Sequence, residues 1–178
     1  LRLRSYGVPT ADKPCFLELK KKYKGVVFKR RISAPYKDIK SYMAGEDSGI
    51  ENSQILKEID YFKRFYGELK PAANIFYDRE AFYDRTNREV RLTFDSNVLA
   101  RGWDLELENG IYGERVLENG LYILEVKTSG AMPMWIAEML NEFKIYPISF
   151  SKYGTAYKNG LLTRENKKII TLGGEYCA

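Results

Sequence analysis

Charged and apolar residues alternate with period two along several stretches of this chain, and the charged set is mostly basic. Residues two apart in an extended strand share a face. Arg2 and Arg4 therefore lie opposite Leu1 and Leu3, and Glu18, Lys20 and Lys22 lie opposite Leu17 and Leu19. Lys29 and Arg31 follow on the next strand. Arg91, Thr93 and Asp95 oppose Leu92 and Phe94, and Glu125 and Lys127 oppose Leu124 and Val126. A solvated sheet face is the ordinary source of such alternation. Here, however, Arg-x-Arg and Lys-x-Arg set like charges side by side, which costs energy unless an anion lies between them. From pattern alone, a wet face and an anion-binding face both stay open. Arg suits the second, because its planar fork can hold two phosphate oxygens at once. A closed barrel with a polar interior would let several strands contribute to one channel.

Composition narrows the chemistry. The 178 residues are 44% hydrophobic and carry a formal charge of +5, so a folded protein with an anionic partner is expected. There is no histidine, which removes Ser-His triads, imidazole acid–base catalysis and histidine metal ligands together. Neither a GxxxxGK[ST] loop nor a GxGxxG turn occurs. Chemistry must then rest on carboxylates, Lys, Arg and a borrowed metal. Cys15 and Cys177 form no CxxC pair and read as reduced thiols. No apolar run approaches the length of a membrane span, and no signal-peptide pattern opens the chain. Aromatics fall mostly on apolar faces, whereas a nucleic-acid surface interleaves exposed aromatics with basic residues. That tilts the anion toward a compact phosphate chain.

Periodicity and turn residues predict strands over 1–6, 15–23 and 26–32, the last two joined at Lys24-Gly25. A short helix follows Pro35 to about Met43, and a firmer one runs from Ser53 to Tyr66, with Leu56, Ile59, Phe62 and Tyr66 at helical spacing. Strands are expected over 73–83, 89–95, 98–107 and 121–128, and a helix with a broad apolar face over 134–144, the apolar stripes of this helix and of 53–66 being read as core. No linker or repeat divides the chain, so 1–178 reads as a single domain, with a tail of uncertain role over 164–178. Strands outnumber helices, and most can pair with neighbours in antiparallel fashion, giving an α+β chain dominated by one antiparallel sheet or barrel.

These ordered segments resemble the VTC domain of the vacuolar transporter chaperone family and its bacterial relatives, within the triphosphate tunnel metalloenzymes. LRLRSY resembles the family's basic strand, making Arg2 and Arg4 tunnel residues. FLELKKKYKGVVFKRR resembles its glutamate–lysine strand and the basic strand after it, carrying over Glu18, Lys20, Lys29 and Arg31. YDREAF and VRLTFD supply Arg79 and Arg91. YILEVKT supplies Glu125 as metal-binding acid, with Lys127 beside it. WIAEMLNEFKIYPISFSKYGTAY resembles the closing helix and makes Lys152 a phosphate contact.

The resemblance implies an antiparallel β-barrel tunnel with flanking helices. The family's opening strand, helix and second strand have no counterpart here, so an N-terminally incomplete tunnel is expected. It further implies a polyphosphate polymerase that transfers the γ-phosphoryl of ATP to a growing chain. Arg2, Arg4, Lys20, Arg79 and Arg91 would be catalytic, and Lys29, Arg31, Lys127 and Lys152 would bind substrate. Glu125 and Glu18 would ligate Mn²⁺ or Mg²⁺. A metal-dependent tripolyphosphatase and a non-catalytic binder of polyphosphate or inositol polyphosphate are the alternatives. The expected partners are ATP, polyphosphate and a membrane protein, but not nucleic acid. The expected place is the cytoplasm, at the inner face of a membrane through that partner.

Overall fold

A computed structural model describes residues 1–162 together with 170 and 171. The expected tail lies outside these residues apart from that last pair, as does Cys177. The strands are β1 (Arg2–Arg4), β2 (Pro14–Tyr23), β3 (Val26–Pro35), β4 (Asn74–Tyr83), β5 (Arg91–Arg101), β6 (Tyr112–Arg115), β7 (Ile123–Lys127) and β8 (Ile170–Thr171). The helices are α1 (Tyr36–Ala44), α2 (Gln54–Tyr66), α3 (Met134–Glu142) and α4 (Lys152–Lys158), with a 3₁₀ turn at Leu107–Asn109. The chain falls into two compact units.

The first unit comprises Leu1–Ala72 and Leu105–Ile111. Its three-stranded antiparallel sheet has the order β1-β2-β3. Lys24 and Gly25 both take positive φ, 46° and 81°, which a two-residue hairpin needs to match the strand twist. Leu17 pairs with Ile32 and Cys15 with Ala34, so one sheet face is apolar. That face packs under the helices: Leu17 and Leu19 meet Tyr42 of α1 and Leu56 and Ile59 of α2, while Cys15 and Ala34 meet Tyr36 and Ile39. Ser53 starts α2 by accepting a hydrogen bond from the Leu56 amide at 3.2 Å, which satisfies an otherwise orphaned donor.

The second unit comprises Ala73–Asp104 and the described residues from Tyr112 on. Its antiparallel strands follow the path β4-β5-β6-β8, and β7 also pairs with β5. β5 is long enough to hold two neighbours on one edge: β7 along Arg91–Asp95 and β6 along Leu99–Ala100. β6 approaches β5 closely at Gly113, where a Cβ would sit 2.5 Å from the Ala100 carbonyl oxygen. Val98, Ala100, Val116 and Ala156 form the buried centre of this unit.

The α+β expectation with antiparallel pairing holds. A closed barrel is not formed among the described residues, because their strands hydrogen-bond into two separate sheets. Two further expectations are corrected. Residues 98–107 do not add a strand: the first four continue β5 through a β-bulge, and the chain then turns. The apolar stripe of α3 is not core. Only Ile136 is buried there, while Met134 and Phe143 are 74% and 66% exposed.

Ile59 is fully buried at the centre of the first unit's core, so Ile59→Ala should lower its unfolding free energy by about 2–5 kcal/mol. Urea denaturation followed by circular dichroism measures this.

Candidate phosphate-binding site

In the first unit the sheet face turned away from the helices is basic. Arg2 pairs in register with Glu18, Arg4 with Phe16, Glu18 with Arg31, and Lys20 with Lys29, so all of these residues share that face. Glu18 is its single carboxylate and is only 2% exposed. The Arg2 guanidinium donates to its Oε2, from Nε at 2.9 Å and also from a terminal nitrogen. Lys29 Nζ lies 2.9 Å from Oε1, and Arg31 reaches that same oxygen at 4.0 Å. Burial alone would raise the Glu18 carboxyl. The close ion pair with Lys29 and the hydrogen bonds from Arg2, with the charges of Arg2 and Arg4, hold it below the ordinary value instead. Cations still outnumber carboxylates on this face, and Lys20 and Lys29 face each other directly. Lys21 and Arg30 lie on the opposite face and share Glu58 of α2, at 2.9 and 3.7 Å.

The second unit gathers the remaining candidates. Register places Arg79 beside Asp95 and Tyr83 beside Arg91 across β4–β5, and Thr93 beside Glu125 and Arg91 beside Lys127 across β5–β7. All of them therefore share one face. Asp95 is 1% exposed and takes both Arg79 donors in a fork, Nε to Oδ1 at 2.5 Å and Nη2 to Oδ2 at 2.7 Å. Lys152 donates to the same Oδ2. The Tyr77 ring backs both cations, with its centroid 5.2 Å from the Arg79 guanidinium carbon and 4.5 Å from Lys152 Nζ. Glu125 is half-exposed, 3.6 Å from Arg79 and 3.1 Å from Lys127 Nζ. The Arg91 guanidinium lies over the Tyr83 ring at 5.3 Å.

Electrostatics follow from this packing. Burial would raise the Asp95 carboxyl, but hydrogen bonds and charge from Arg79 and Lys152 hold it low. The hydrogen bond to Asp95 raises Arg79 in turn, against its own burial. The Arg91 Nε and the Thr93 hydroxyl are buried and make no hydrogen bond to any described residue. A buried donor left unpaired is costly.

The β-bulge decides where the charged region ends. Asp78 pairs with Ser96 and Phe76 with Leu99, so β5 spends one more residue than β4 between these pairs. Asn97 takes φ 49° there and donates to the Asp78 carboxylate at 2.7 Å. The extra residue shifts parity, so Val98 and Ala100, rather than Asn97 and Leu99, continue the face of Arg91, Thr93 and Asp95. Ile75, Tyr77, Ile123 and Phe150 pack with them. One sheet face is thus charged at one end and apolar at the other. α4 begins at a Ser151 cap, whose hydroxyl accepts from the Gly154 amide at 3.2 Å. Ala156 enters the apolar end, and Lys152, four residues earlier on the same side of the helix, reaches Asp95.

All the residues expected from sequence thus fall on two basic faces: Arg2, Arg4, Glu18, Lys20, Lys29 and Arg31 on one, Arg79, Arg91, Glu125, Lys127 and Lys152 on the other. The alternation puts Asp95 and Thr93 on the right face without giving them a role, and Tyr77 lies outside the residues the sequence singles out. An Asn inside an alternating strand, and a Ser-capped turn with Lys and Ala four apart, were the available signals for the bulge and for α4.

The sequence model of the VTC domain matches residues 1–160. The chain belongs to the VTC domain family. This gives the chain a polyphosphate-related function. No match was found among curated proteins. No helix among the described residues is long and apolar enough to cross a membrane.

Because Asp95 is held below its unfolded value of about 3.9, it stabilises the second unit above that pH and loses this contribution as pH falls through its folded value. Thermal unfolding followed from pH 6 to pH 2 should show the loss. Asp95→Asn should flatten the acid limb of that profile.

Proposed function

We infer that this VTC domain is an ATP-dependent polyphosphate polymerase. A terminal phosphate oxygen of the growing chain attacks the γ-phosphorus of ATP, the bond to the β,γ-bridging oxygen breaks, and ADP leaves. The observation that supports this most is the face of the second unit, where Arg79, Arg91, Lys127 and Lys152 come together beside two carboxylates among the described residues, Asp95 and Glu125. Phosphoryl transfer asks a protein mainly to position the phosphates and neutralise their charge, which Arg and Lys do without histidine. Arg79 and Arg91 clamp non-bridging oxygens, and Lys127 and Lys152 add point charges beside them. Arg2, Arg4, Lys20, Lys29 and Arg31 provide a second phosphate-binding face.

The donors present suit a metal that phosphates help to hold. No group of three carboxylate or cysteine ligands occurs among the described residues. Glu125, half-exposed, could supply one oxygen, with phosphates and water completing the shell, as is usual for Mg²⁺. Glu18 fits less well, because both its oxygens already face cations. When bound at Glu125, Mn²⁺ or Mg²⁺ would add Lewis-acid neutralisation of phosphate charge.

The polymerase reading is tested by incubating the protein with ATP and MnCl₂ and resolving polymer on a gel. Arg91→Ala and Arg79→Ala should each cut polymer formation on the order of a hundredfold. Full activity in either variant removes that residue from the mechanism. Chelation with EDTA should abolish turnover yet leave tripolyphosphate binding within about threefold, since Arg and Lys carry most of the binding. Orthophosphate released from tripolyphosphate, without polymer from ATP, would identify a tripolyphosphatase instead. A binding module is the second reading, favoured by the excess of Arg and Lys over carboxylates on both faces. That reading predicts tight tripolyphosphate binding with no turnover under any metal.

A further inference from the structure

Asp95 is the most buried charged group on the second unit's basic face, yet a phosphate-binding surface gains no affinity from a carboxylate at its centre. Its contacts suggest what it does there. It takes the Nε–Nη2 edge of Arg79 and the ammonium of Lys152, two cations from separate elements that are only 18% and 20% exposed. The contacts with Asp95 use Nε and Nη2, which leaves Nη1 outside this fork. Tyr77 backs both groups, and Glu125 reaches Arg79 from β7.

We propose that Asp95 is a positioning residue: it fixes Arg79 and Lys152 in the geometry in which they meet a phosphate chain, and lowers the affinity with which they would otherwise hold it. Resting on the phosphate-chain reading of this face, the proposal explains why a carboxylate is kept where cations are needed. Two long cationic side chains without a shared anchor would each sample several rotamers and repel one another. Anchored, they present fixed donors at the cost of part of their net charge. A polymer-handling site needs that compromise, because a chain bound too tightly cannot advance.

The test separates affinity from turnover. Asp95→Asn keeps the shape and removes the charge. It should bind inorganic tripolyphosphate about threefold or more tighter by calorimetry, while kcat for polymer formation from ATP falls on the order of tenfold. Asp95→Glu keeps the charge but moves it by one methylene. It should bind tripolyphosphate as the wild type does and still lose kcat on the order of tenfold. In a Lys152→Gln background, the affinity gain from Asp95→Asn should shrink, because one of the two restrained charges is gone. If Asp95→Asn instead weakens tripolyphosphate binding in step with a lowered melting temperature, the residue is purely structural and the proposal is overturned. Unchanged kcat in Asp95→Glu also overturns it. Should the wild type make no polymer, the polymerase reading fails by itself, and Asp95 is then judged on tripolyphosphate affinity alone, where no gain in Asp95→Asn overturns the proposal.

Discussion

A carboxylate taken out of water stays ionised only if cations replace the solvent it has lost, and each basic face of this protein has one such group. Asp95 is held by Arg79 and Lys152, and Glu18 by Arg2 and Lys29. Burial and ion pairing oppose each other in both cases, and pairing wins. Removing one partner from such a group leaves an uncompensated buried charge, which is far more damaging than losing a surface pair. Because each face keeps more cations than its carboxylates neutralise, the anchored charges lie beside others still able to attract an anion. Paired cations and cations in excess of the carboxylates are thus neighbouring members of the same set.

Much of this was legible in the sequence, for a simple reason. Period-two alternation reports which side chains share a strand face, and β-sheet register then carries that face across neighbours without further information. Arg2 with Glu18, and Arg91 with Lys127, are consequences of strand identity and hairpin pairing. The Lys24-Gly25 turn and the Ser53 cap were readable because their backbone demands are local. Alternation could not show where it would be interrupted. A bulge depends on how two strands fit each other, and the Asn97 conformation that allows it leaves no mark beyond residue type. Residues 98–101 were therefore assigned to a new strand instead of the end of β5. The same limit applies to α3: its spacing identifies a helix, but apolar residues at helical spacing do not guarantee a covering element, and most of them are exposed.

The distinction between core and site in the second unit comes down to that interrupted alternation. Uninterrupted, β5 would carry Asn97, Leu99 and Arg101 onto the face of Asp95; the extra residue places Val98 and Ala100 there instead. They pack with Ile75, Ile123 and Ala156, so the charged residues border a dry apolar floor. Charge interactions are stronger beside such a floor than in water, which favours the Asp95 network and any phosphate held next to it. It also ties Lys152 to the core, because Ala156 and Lys152 belong to one helix face and cannot move independently. The placement of Lys152 is thus set by an alanine four residues away, and the hydrophobic core of this unit fixes part of its basic face.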